Sequence, residues 1–181
     1  NQGGVGVISS AGLGVIYREH SKDYNTASIW GLREELRKAR EKTKGIIGVN
    51  VMVAMSNFAD MVRTAIAEKA DIIFSGAGMP LNLPSFLTKG SKTKLAPIVS
   101  SARAAKLICE KWLANYKYVP DAIVVEGPKA GGHLATSRNR SPTNTSRWSG
   151  CCPKSFRKSV VSARRTTRTS RSSQQAASTR A

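Results

Sequence analysis

Asn50 is a carboxamide set inside an otherwise apolar run, Ile46 to Val53, and it invites a chemical reading. A carboxamide both donates and accepts hydrogen bonds, so within a strand it either satisfies neighbouring backbone or offers both functions to a bound group. His133 closes the loop Glu126-Gly127-Pro128-Lys129-Ala130-Gly131-Gly132-His133. An imidazole there reads either as an ordinary loop or capping residue or as a general base poised near neutral pH. Two further loops, Ser9-Ser10-Ala11-Gly12-Leu13-Gly14 and Ser75-Gly76-Ala77-Gly78, are built from small residues. Such residues let a planar cofactor approach the backbone and use its amides as donors. His20, among Arg18, Glu19 and Lys22, reads as solvated, and Lys129 reads as a surface charge.

Other chemistries find little support. The glycines form neither GxGxxG between a strand and a helix nor GxxxxGK[ST], so dinucleotide-fingerprint and Walker-type phosphate sites are not indicated. Cys109, Cys151 and Cys152 have no metal-site or disulfide-framework spacing, and with two histidines they make no plausible metal set. Free thiols point to a reducing, cytoplasmic setting. No run approaches the ~20 apolar residues of a membrane span, and Asn1 to Ser10 lack the charged start of a signal peptide. The formal charge of +18 is unevenly spread. Residues 1–134 hold 18 of the 29 Lys and Arg with all 11 Asp and Glu, whereas residues 135–181 hold the other 11 cations and no acid. A basic nucleic-acid binder is the rival reading of that tail, but it has no interleaved aromatics and no nucleic-acid motif.

The elements that must position Asn50 and His133 alternate along residues 1–134. Gly4–Ile8, Ile46–Val53, Asp71–Phe74, Leu95–Ser100 and Asp121–Glu126 read as short, β-branched strands. Between them, Trp30–Lys44, Phe58–Lys69 and Ser101–Leu113 read as helices. Glu34–Lys38 is a favourable i,i+4 pair, Asn57 is a cap, and Phe58, Met61, Val62, Ala65 and Ile66 form an inner stripe. Near-continuous Val/Ile strands call for a parallel sheet buried on both faces, and strict alternation makes the class α/β. About five strands are too few to close an eight-stranded barrel of ~250 residues, so an incomplete TIM (β/α)8 barrel is expected. Two regions follow: a partial barrel at 1–134, and a Ser/Thr/Arg-rich tail at 135–181 whose composition is that of a disordered chain.

In this order, Asn1-Gln2-Gly3-Gly4-Val5-Gly6-Val7-Ile8-Ser9, Gly48-Val49-Asn50, Asp71 to Gly78 and Glu126 to His133 resemble the nitronate monooxygenase family, formerly called 2-nitropropane dioxygenases. The resemblance covers residues 1–134 and implies a barrel that binds FMN. It implies that Asn50 contacts the flavin and that Glu126, Gly131 and Gly132 line it, with Glu126 standing where Gln is often found. His133 matches the histidine that removes the α-proton of an alkyl nitronate or nitroalkane, after which the flavin passes electrons to O2. A close branch comprises flavin-dependent enoyl-ACP reductases, which act on enoyl thioesters with NAD(P)H. The implied partners are thus a small-molecule substrate and O2, with no specific nucleic acid and no membrane. Relative to the family, Asn1 falls at the end of the first helix, beyond the first strand.

After Leu134 the pattern is lost, and the genetic code offers a reason. A family-like Leu-Gly-Tyr-Lys-Pro-Glu encoded CTG GGC TAC AAG CCG GAA becomes, on loss of one G, Leu-Ala-Thr-Ser-Arg followed by Asn or Lys. The chain reads Leu134-Ala135-Thr136-Ser137-Arg138-Asn139. In the same shifted frame, Cys151 to Ser155 permits Leu-Pro-Glu-Val, and Thr169 to Thr179 permits Ile-Pro-Val-Ile-Ala-Ala-Gly-Gly-Ile-Tyr. The tail is therefore expected to be frameshifted barrel sequence, and the chain as written is expected to be inactive.

Overall fold

Apolar side chains on every second residue of the strands Val5–Ser9 (β1), Ile46–Met52 (β2), Ile72–Gly76 (β3), Lys94–Val99 (β4) and Ile123–Val125 (β5) divide the sheet into two unlike faces. The computed structural model describes residues 3–127 and a backbone strand at 160–162. Each strand pairs in parallel with the next, in the order β1-β2-β3-β4-β5-β6, where β6 is Val160–Ser162. Strictly sequential order without a reversal is the barrel pattern; a doubly wound sheet would switch direction part-way. The fold is a partial (β/α) barrel.

Ile47, Val49, Val51, Ile73, Leu95, Val99 and Ile123 point to one face and are buried in a single core. Over them lie the helices Tyr24–Lys42 (α2), Phe58–Ala67 (α3) and Ala102–Tyr116 (α4), which contribute Leu32, Leu36, Met61, Val62, Ala65, Ile108 and Trp112. The stripe expected on α3 is buried in full, with Phe58 and Ile66 the least enclosed. The second face is not covered. Val5, Val7 and Ile46 remain 45%, 51% and 53% exposed, contrary to the expectation of burial on both faces. Helices shield only the outside of a barrel; its inside is buried only when the strands close around it.

Element starts also differ from expectation. α2 begins six residues before Trp30, because the Asp23 carboxylate accepts from the Thr26 amide (2.7 Å) and the Thr26 hydroxyl (2.7 Å). A short helix, Leu13–Ile16 (α1), precedes it and packs Leu13 into the core. Glu34 and Lys38 pair at 3.5 Å as expected. β6 arises inside the segment read as disordered; its Val160-Val161 pair adds to the free edge of β5, which otherwise presents unpaired backbone groups.

The amino end of the sheet is stapled by two aspartates. Asp71 accepts from the Ile47 amide (2.7 Å) and from Arg40 (2.7 Å). Asp121 repeats the device two strands on, accepting from the Leu95 amide (2.9 Å), from Lys94 (3.0 Å) and from the Tyr118 hydroxyl. Each carboxylate thereby satisfies a backbone amide near the amino end of the neighbouring strand.

Candidate functional site at the carboxyl ends of the strands

In the register of the sheet, Ser9, Asn50 and Phe74 lie side by side across β1, β2 and β3, on the face away from the helices. Asn50 is half-buried and Ser9 exposed. The expected interruption of an apolar strand by a carboxamide thus falls near its carboxyl end, and alternation turns it to the open inner face. Gly48 lies two residues below Asn50 on that face, and a Cβ there would stand 2.8 Å from Cε2 of Phe74. The glycine lets the Phe74 ring lie back over β2 towards the amino end, which forms a floor and leaves Asn50 above it. At the next position up, a Cβ on Gly76 would meet Cβ of Ile98 at 2.9 Å, so small residues keep the upper inner surface low.

The loop after β3 is fixed against the loop after β2. The Val53 amide donates to the Gly76 carbonyl (2.8 Å), and Gly78 takes φ +141 with its missing Cβ 2.9 Å from Cβ of Val53. Between them Ala77 adopts φ +52, a left-handed conformation that costs an L-residue roughly 1–2 kcal/mol. The chain tolerates this strain where the sequence reading placed a cofactor-facing loop.

The buried polar side-chain atoms without a protein partner, among the described residues, belong to Ser10, Asn25, Asn57 and Ser75. Ser10 follows β1, Asn57 follows β2 and Ser75 is near the end of β3, while Asn25 opens α2 and bonds Asp60 at the start of α3 through its other atom. All four lie towards the carboxyl ends of the strands and the amino ends of the helices, but Ser75, in register with Val51, faces the helix-covered core, and Asn25 lies between α2 and α3. An orphaned buried polar group costs about 1–3 kcal/mol, so each of these positions has room for a water or another partner. Asn57 corrects an expectation. It stands at the cap position of α3, but with φ −95 and ψ 16 its side chain makes no capping bond, and both carboxamide atoms are unpartnered. Ser10 and Asn57 carried no separate signal in the sequence; only their burial singles them out.

Glu126 lies one residue beyond β5, half-buried, with its amide donating to the Val99 carbonyl (2.8 Å). This holds it at the same end of the sheet as Asn50. His133, Gly131 and Gly132 lie outside the described residues, as do Lys129, Cys151 and Cys152. His20 is not merely solvated: its ring stacks on Trp30 with centroids 3.4 Å apart. Among the described residues there is no cluster of His, Cys, Asp and Glu able to hold a metal ion, and no helix long and apolar enough to cross a membrane.

These features fit one edge of a flavin ring: a donor–acceptor carboxamide, small neighbours and an aromatic floor.

A family model described as nitronate monooxygenase matches residues 54–148, over half of the chain. Among solved structures, a single-residue variant of FabK from Thermotoga maritima is 30% identical, with a TM-score of 0.51, over 59% of this chain and 33% of its own. FabK itself from the same organism is 28% identical over 55% of this chain and 29% of its own, with a TM-score of 0.45. The chain thus spans about a third of the length of these structures. No curated protein matches it.

Proposed function

The chain belongs to the nitronate monooxygenase family, and on that premise we propose that residues 1–134 are the substrate-side part of an FMN-dependent oxidoreductase that oxidises alkyl nitronates or nitroalkanes with O2. The observation that carries this reading is Asn50, half-buried at the carboxyl end of β2 on the face away from the helices, between Ser9 and Phe74 in the register of the sheet. Asn50 would hold the donor–acceptor edge of the flavin, and Glu126, Gly131 and Gly132 would line it. His133 would take the α-proton of a neutral nitroalkane, a general-base role that an imidazole fills in its neutral form. When bound, FMN supplies the electron transfer from the nitronate to oxygen.

The phosphate end of the cofactor requires a glycine-rich strand and loop, whose backbone amides cradle the anion. Residues 135–181 provide none in their present frame, and shifted by one base they permit Ile-Pro-Val-Ile-Ala-Ala-Gly-Gly-Ile-Tyr. We therefore assign the tail to the same barrel read out of frame, and the chain as written is inactive. A second reading, a flavin-dependent enoyl-ACP reductase, is supported by the likeness to the FabK variant.

The test is oxygen uptake by the product of the gene with one base restored after codon 134 and with its upstream coding sequence. Consumption of O2 on an alkyl nitronate, without NAD(P)H, is the expected result. NAD(P)H-driven reduction of an enoyl thioester with no nitronate activity would move the assignment to the second reading.

A further inference from the structure

At the end of the sheet opposite the proposed flavin site, the loop Thr88-Lys89-Gly90-Ser91-Lys92-Thr93 folds back on the end of α3 and encloses an open cavity of about 790 Å³. Its apolar wall includes Ile66 and Phe86; the rest is polar and strongly basic, with Arg40, Arg63, Lys69, Lys89 and Lys92 against the single acid Asp71. The charges are not equivalent. Arg40 is spent on structure, bonding Asp71 (2.7 Å) and the carbonyls of Gly45 (3.0 Å) and Lys69 (3.1 Å), and so cancels the one carboxylate. Arg63 pairs with Asp60 at 3.3 Å and lies over the Phe86 ring. Among the described residues, no carboxylate comes within ion-pair distance of Lys69, Lys89 or Lys92. Three lysines without a carboxylate partner thus line one concave site, and a shaped cleft lined by one sign of charge focuses its field on a counter-anion.

Local backbone places these residues around the cavity. Lys69 takes φ 56 at the end of α3, where its amide and that of Ala70 close the helix on Ile66 and Ala65. Gly90 takes φ +85 in the turn closed by the Ser91 amide on the Thr88 carbonyl, so Lys89 sits within a tight turn and Lys92 directly follows it. Thr93 anchors the loop by donating its hydroxyl to the Ala70 carbonyl at 2.8 Å.

We propose that this cavity binds a small molecule carrying two or three phosphates. A pyrophosphate group at neutral pH matches the three unpaired ammonium charges, and the volume lies within the range of roughly 300–1,000 Å³ typical of small-molecule sites. The site is independent of the flavin reading, since it lies at the amino ends of β3 and β4 and uses none of the residues assigned above.

Isothermal titration of the full chain with inorganic pyrophosphate and, separately, with ADP tests it. Saturable binding near one per chain is expected, weakened about tenfold or more in the double variant Lys89→Gln/Lys92→Gln and again in Lys69→Gln. All three positions are exposed, and circular dichroism checks that the variants fold. Equal affinity for the two ligands assigns recognition to the phosphates; tighter ADP binding adds the apolar wall; either upholds the site. Arg164→Gln/Arg165→Gln in the basic tail should leave binding unchanged. Absence of saturable binding, binding indifferent to the lysine variants, or loss on changing the tail alone would each overturn the proposal.

Discussion

Asn50 and Asn57 show how differently one residue type can be read. A carboxamide inside an apolar strand is conspicuous in sequence, and its place follows from strand alternation alone. An asparagine ahead of a helix is ordinarily a cap, which is why Asn57 reads as one. Capping requires an extended backbone that swings the side chain over the first amides, and φ −95 with ψ 16 denies it. His20 was equally opaque, because its stacking partner Trp30 comes from the next element. At this scale two substitutions test the proposed chemistry in the frame-restored protein. Asn50→Ala should weaken FMN retention about tenfold, the cost of one or two hydrogen bonds, with the circular dichroism spectrum unchanged. His133→Ala should slow turnover of a neutral nitroalkane about 10²–10⁴-fold while affecting a preformed nitronate much less. Equal loss on both substrates contradicts the base assignment.

The elements were legible where a period persisted: all five strands between residues 3 and 127 and the three long helices were expected, with errors confined to their ends. The start of α2 was missed because Asp23 lies in a polar stretch with no apolar period, and its capping role needs the Thr26 geometry to be seen. The aspartate staples were also invisible, since each joins residues more than twenty apart in sequence. Asp121 gives a clear prediction. Burial raises its carboxyl, but the Tyr118 hydroxyl, the Leu95 amide and Lys94 outweigh this and hold it below the ordinary carboxylate value. A depressed folded-state pKa stabilises the fold above the ordinary carboxylate range, and that contribution is lost as pH falls through the folded value. Asp121→Asn should therefore lower stability at neutral pH by about 1–3 kcal/mol and flatten the acid limb of the Tm-against-pH curve. An unchanged acid limb shows that the staple contributes nothing to acid sensitivity.

For the whole molecule, the sheet is finished on one side only. Its helix-covered face is a continuous core, whereas Val5, Val7 and Ile46 stand open on the other. The chain as written should therefore bind a hydrophobic dye and associate at micromolar concentration, as exposed apolar faces and strand edges do. A sedimentation profile of a clean monomer without dye binding runs against this. The sequence could not show the open face, because a barrel strand and a doubly covered strand have the same Val/Ile run; only strand order and helix placement separate them. The tail posed the opposite problem. Its composition is fully legible as unlike the barrel, but its origin is legible only through the codons, and coding DNA with stops in the shifted frame would sink that origin.

On the proposed function, the Asn50 end of this sheet holds a flavin once the barrel is read in one frame. Visible absorption of the purified, frame-restored protein, with FMN counted per polypeptide, tests it most directly. A yellow protein with close to one FMN per chain is expected, with little or none retained by the chain as written. A folded, frame-restored barrel that remains colourless after addition of FMN would contradict it, as would stoichiometric FMN on the chain as written.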